Sequence, residues 1–156
     1  MVWAGVCSDG SKTPLVFVLE GVKVNQLTYV DFIKANLIPW AKKKFGDDPW
    51  AFMQDSAPAH SAKKTVSFLK ENVPHLWTPD MWPPSSPDIN PMDFTIWSVM
   101  ETKKAAKTYP NLEALRNELK EIWKNLSPDM VRRCCESVPE RLKSVIDAKG
   151  GYFEIH

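Results

Sequence analysis

Apolar and polar positions along the 156 residues change period several times, and each change marks an element. Val2 to Cys7 is short and apolar, and Ser8-Asp9-Gly10-Ser11 is a turn signal leading into the apolar run from Pro14 to Leu19, so the chain opens as a β-hairpin. Leu15-Val16-Phe17-Val18-Leu19 is continuously apolar rather than alternating, which predicts a strand covered on both faces by flanking helices. From about Gln26 to Lys44, Tyr29, Ile33, Leu37 and Trp40 recur at helical spacing, with Asn25 placed to cap the start and Pro39 to kink or shorten the helix. Pro49 opens a second buried strand, Trp50-Ala51-Phe52-Met53, which ends at Gln54-Asp55. A helix follows from about Ala59 to Glu71, with Val66 and Leu69 inward.

Leu76-Trp77 reads as a last short strand, and the five prolines between Thr78 and Pro91 exclude regular structure there. Asn90 as cap and Pro91 as first helical residue start the next helix, which places Asp93 at its third position and continues the pattern through Phe94, Ile96 and Trp97. Leu112, Leu115, Leu119, Ile122, Trp123 and Leu126 follow steps of three and four, the most amphipathic helix of the chain. Ser127-Pro128 starts another, Ser137-Val138-Pro139-Glu140 resembles a capping box that restarts it, and Gly150-Gly151 ends it. The order predicts an α/β layer arrangement with a helical C-terminal part.

Composition narrows the class. With 44% hydrophobic residues the chain fits one globular domain spanning residues 1–156. No run of about 18 apolar residues and no signal peptide pattern is present, so a soluble, intracellular protein without a membrane span is expected. Cys134 and Cys135 are adjacent and fit neither a disulfide nor a metal spacing, so with Cys7 they read as reduced thiols. The net charge of +1 does not announce a nucleic-acid binder, and the lysine clusters at 42–44, 63–64 and 103–107 read first as solvated helix faces.

Two aspartates carry the candidate chemistry. Asp55 lies in Gln54-Asp55-Ser56-Ala57-Pro58-Ala59-His60 at a strand end, and Asp93 closes Ser85-Ser86-Pro87-Asp88-Ile89-Asn90-Pro91-Met92-Asp93. By position alone each reads first as a turn residue or helix cap, as does Asp88. Two acids at element boundaries joined by a proline-stiffened loop also suit a hard divalent cation. His60 could touch a metal or phosphate but reads first as a polar contact, and His75 and His156 show no ligand spacing. Trp77, Trp82 and Trp97 read as packing or loop anchors ahead of base-stacking platforms. No phosphate-binding glycine loop, nucleophile elbow or zinc set is present, so an enzyme here would work through carboxylates and metal on a phosphodiester.

These motifs resemble the catalytic domain of mariner-like transposases, D,D,D/E enzymes with a ribonuclease H-like fold. Met1-Val2-Trp3-Ala4-Gly5-Val6 is similar to that family's second strand, Gln54 to His60 to its second carboxylate motif, and Trp82 to Asp93 to its third. Arg141-Leu142 and Ala148-Lys149-Gly150-Gly151 resemble the end of the domain. The resemblance implies Asp55 and Asp93 as catalytic and metal-binding residues, Mg2+ or Mn2+ as cofactor, and transposon-end DNA as partner. It further implies a nuclear site of action, and leaves a homodimer open. The 37 intervening residues, with Asp in third place, resemble a mariner-related subgroup. In the family the first catalytic aspartate lies on a strand preceding the segment that starts here at Met1, and Asp9, in the hairpin turn, cannot replace it. The expected fold is thus a ribonuclease H-like mixed sheet flanked by helices but lacking its first, central strand. The expected function is that of a transposase fragment, inactive as it stands and binding one cation weakly. The alternative is a non-catalytic nucleic-acid-binding or protein-interaction module derived from a transposase.

Overall fold

A computed structural model describes residues 1–83 and 86–151 and divides into two compact units, Met1–Trp3 with Val16–Ser85, and Ala4–Leu15 with Ser86–His156. In the first unit β1 (Val2–Trp3) pairs antiparallel with β2 (Val16–Phe17), Val2 opposite Phe17 and Trp3 opposite Val16. β3 (Ala51–Phe52) pairs in parallel with β4 (His75–Leu76), so the described strands form two small sheets of two strands each, where the expected fold was a mixed sheet lacking its central strand. The apolar runs are also less covered than predicted. Val18 is buried but Leu19 is 74% exposed, and Ala51 is exposed beside a half-buried Phe52. Two-residue strands with one paired edge leave the rest of each run without a layer to pack on.

The helices of this unit supply its core. Asn25 caps α1 (Gln26–Phe32), its side-chain oxygen accepting from the Leu27 and Thr28 amides. Pro39 does not end the helix. A π turn over Ile33–Leu37 widens the backbone ahead of it, and α2 (Ile38–Phe45) carries on, the Ile38 amide reaching back to the Ile33 carbonyl. The wider turn accommodates a ring that has no amide to offer and would crowd the carbonyl four residues back. The predicted helix after Asp55 is split into α3 (Pro58–Ser61) and α4 (Lys63–Asn72), because Ala62 is extended. α4 turns Thr65 and Leu69 inward rather than Val66 and Leu69, and the Thr65 hydroxyl donates to the Ala59 carbonyl across the break. Tyr29, Ile33, Leu37, Leu69 and Val73 form the core, with Trp3, Trp50 and Phe52 against it.

In the second unit the hairpin tip folds around an Asx turn, Asp9 accepting from the Ser11 amide and hydroxyl. Gly10 has φ +88°, and a β-carbon there would lie 2.6 Å from the Pro128 carbonyl oxygen, so only glycine fits. A 3-10 turn at Pro87–Ile89 and a π turn at Met92–Ile96 lead into α5 (Trp97–Ala105). α6 (Leu112–Lys124), α7 (Pro128–Glu136) and α8 (Val138–Asp147) follow. Asn111 and Ser127 cap α6 and α7. Ile96, Met100, Ile122, Trp123, Leu126 and Val131 make the core. Leu112 is 49% exposed, contrary to its place in the apolar pattern, because the first turn of α6 lies beyond that core. Lys12 donates to the Leu126 carbonyl at 2.7 Å and the Trp123 indole to the Thr13 carbonyl at 2.8 Å, which fastens the hairpin tip to the end of α6.

The predicted capping box at Ser137 does not form. Ser137 is itself helical, and its hydroxyl donates back to the Cys134 carbonyl. α8 ends in a Schellman motif, the Gly150 amide on the Val145 carbonyl and the Lys149 amide on the Ile146 carbonyl. Lys149, not a glycine, occupies its left-handed position at φ 51°.

Candidate functional site

Asp55 stands just beyond β3, and one short helix returns His60 to it. Its Oδ1 accepts from the Ala57 amide at 3.1 Å and meets His60 Nδ1 at 2.5 Å. The His60 ring stacks on Tyr29, centroids 4.1 Å apart, and Tyr29 is buried in the core. The Tyr29 hydroxyl donates to Gln54 Oε1 at 2.8 Å and accepts from the Trp3 side chain, while Gln54 Nε2 donates to the His60 carbonyl at 3.2 Å. A polar network from β1 through α1 to the strand end therefore holds the imidazole against the carboxylate.

The electrostatics follow from these contacts. The His60 bond, chiefly, and the Ala57 amide hold the Asp55 carboxyl below its usual value, outweighing its partial burial. Burial pushes the Tyr29 phenol well above the tyrosine range; the Trp3 bond works against this and the charge of Asp55 adds to it. Asp55 thus stays ionised at neutral pH beside a neutral phenol. Its side chain is 47% exposed, and among the described residues its Oδ2 takes no hydrogen bond.

Asp93 lies in the second unit, as predicted at the third position of a helix opened by Pro91. Asn90 organises it. Asn90 Oδ1 accepts from the Met92 amide, its carbonyl accepts from the Asp93 and Phe94 amides, and its Nδ2 donates to Asp93 Oδ2 at 2.8 Å. Asp88 is exposed in the 3-10 turn and contributes its backbone, its carbonyl accepting from Arg141 Nη1 at 2.8 Å. Trp82 is buried and meets Trp77 edge-on, which fits the loop-anchoring reading of both. Among the described residues, no group of three or more His, Cys, Asp or Glu side chains could hold a metal ion. The donors that Asp55 and Asp93 offer are carboxylate oxygens, which suit Mg2+ or Mn2+ rather than softer metals.

Sequence reasoning missed Tyr29, which read only as a core position, and the grip of Arg141 on the Asp88 carbonyl. Gln54 and His60 stood inside the motif, and their presence there was the available signal.

The fold is that of a ribonuclease H-like transposase catalytic domain. The chain superposes on the catalytic domain of Mos1 mariner transposase with a TM-score of 0.77, at 20% identity, covering 99% of this chain and 82% of that one. With the Mos1 mariner paired end complex with Mn the TM-score is 0.82 at 22% identity, covering 98% of this chain and 44% of that one. Mos1 has also been solved as a paired end complex with Mg and as a paired-end complex with left transposon end. No protein-family model matches the chain. Among curated relatives, the transposable element Tcb1 transposase of Caenorhabditis briggsae is 31% identical over 150 residues, 96% of this chain and 52% of the relative. The Tc1 transposase of Caenorhabditis elegans is 29% identical over the same share. The chain is homologous to the catalytic domain of Tc1/mariner transposases and spans about half the length of the curated relatives it matches. Among the described residues, no helix is long and apolar enough to cross a membrane.

Proposed function

We propose that residues 1–156 are part of a transposase catalytic domain, supplying the second and third carboxylates, Asp55 and Asp93, of a divalent-metal site for DNA cleavage and strand transfer. The observation that carries this reading is homology to Tcb1 transposase along 96% of the chain, with both acids inside the motifs that resemble the family's. The pairing of β1 with β2 and of β3 with β4 supports a place for a further strand, bearing the first aspartate, between β1 and β3. Transposon-end DNA is the partner and the nucleus the site of action.

In this reading Asp55 and Asp93 hold Mg2+ or Mn2+. The bound metal supplies Lewis-acid activation of water or a 3′-hydroxyl at the phosphodiester. His60 and the Ala57 amide keep Asp55 ionised and fix Oδ1, which leaves Oδ2 to face a cation, and Asn90 orients Asp93. With two carboxylates, the 156 residues alone bind one cation weakly and do not cut DNA.

Calorimetric titration with Mn2+ and nicking of supercoiled plasmid in Mg2+ or Mn2+ test the reading. Weak Mn2+ binding that disappears in Asp55→Ala, without nicking, is expected. Nicking abolished by Asp55→Ala would refute inactivity while upholding the carboxylate. Mn2+ binding indifferent to both Asp55→Ala and Asp93→Asn would defeat the site, and DNA binding surviving alongside it would favour a non-catalytic nucleic-acid module.

A further inference from the structure

We propose that Arg141, near the start of α8, is a positioning residue that sets the orientation of the Asp93 carboxylate. One guanidinium grips the chain on both sides of that aspartate. Nη1 donates to the Asp88 carbonyl at 2.8 Å, across 53 positions of sequence, and the guanidinium carbon lies 3.6 Å above the ring centre of Phe94. Its own direction is fixed by Ser137, whose hydroxyl accepts from Nε at 3.3 Å while donating to the Cys134 carbonyl at 2.8 Å.

The consequence runs along the backbone. Asp88 belongs to the 3-10 turn that ends at Asn90, whose amide donates to the Pro87 carbonyl. Fixing that turn fixes where Asn90 Nδ2 points, and Nδ2 holds Asp93 Oδ2. Phe94, covered by the guanidinium, fixes the peptide on the other side. A planar, always charged fork can donate and stack at once, which a lysine ammonium cannot. Residues supporting a metal ligand in this way commonly change metal affinity without touching the metal.

The inference rests on the reading of Asp93 as a metal ligand, and two readouts separate them. The first is the Asn90 side-chain amide resonance in metal-free protein. The second is the Mn2+ concentration that half-broadens the Asp93 and Phe94 amides, measured well below the melting temperature of every variant. Arg141→Met is expected to shift the Asn90 resonance and to weaken the Mn2+ effect about 10-fold. Arg141→Lys is expected to do the same, because charge alone does not restore the double grip. Ser137→Ala, the milder variant should Arg141→Met not fold, moves both readouts in the same direction by less. An unchanged Asn90 resonance and Mn2+ midpoint in Arg141→Met, with Asp93→Asn abolishing the broadening, overturns the positioning role and leaves the proposed function standing. So does recovery of both by Arg141→Lys. Broadening that survives Asp93→Asn overturns the ligand reading, and the Asn90 resonance then decides Arg141 by itself.

Discussion

At Asp55, charge is set by neighbours rather than by burial. The His60 bond is the largest cause of its lowered pKa, so the folded chain holds that proton more weakly than the unfolded one. Its contribution to stability is therefore present above the unfolded carboxyl value of about 3.9 and is lost as pH falls through the lower folded value. His60→Ala should move the Asp55 carboxyl carbon titration upward and flatten stability against pH between roughly pH 5 and pH 2. NMR titration and urea unfolding across that range measure both, and an unmoved Asp55 titration would show that His60 is not its main partner. The aspartates themselves were legible because their motifs are local strings. Tyr29 and Arg141 were not, since each acts through contacts 25 and 53 positions away that periodicity does not encode.

Element starts were the most legible part of the chain. Asn25, Asn90 and Ser127 cap as predicted, because a cap satisfies amides two or three residues ahead and needs nothing distant. Strand limits and the break at Ala62 depend on partners elsewhere in the fold, so local pattern overestimated the strands and joined two helices. Ser137 shows the opposite failure, a cap-like string overridden when the helix before it offered a carbonyl to its hydroxyl. The end of α8 has a specific weakness. Lys149 sits exposed in the left-handed conformation that its β-carbon disfavours. Lys149→Gly should stabilise the chain by about 0.5–1 kcal/mol, the relieved strain being partly offset by the greater freedom of an unfolded glycine. Urea unfolding measures it, and a loss of stability would contradict the Schellman assignment.

Across the whole molecule, the α/β class with a helical C-terminal part followed from element order, whereas nothing in the periodicity marks the division into two units. The hairpin hides it, since Met1–Trp3 and Ala4–Leu15 are consecutive in sequence yet belong to different units. Each unit has its own core, with Leu69 fully buried in one and Leu126 nearly so in the other. Leu69→Ala and Leu126→Ala should each cost about 2–5 kcal/mol by chemical denaturation. Hydrogen exchange should show lost protection in α1 and α4 for the first and in α6 and α7 for the second. The π turn at Met92–Ile96 also bears on how this chain can vary in length. Such a turn holds one residue more than an α turn, so deleting Thr95 lets the backbone close into a regular helix with Ile96 and Met100 still inward. The helix on either side then keeps its facing, because the α turn completes with one residue fewer the same circuit that the π turn had made. Asp93 would keep its face although one residue between it and the core positions of α5 had gone. A relative could therefore lack one codon just after its acid and still aim that acid alike.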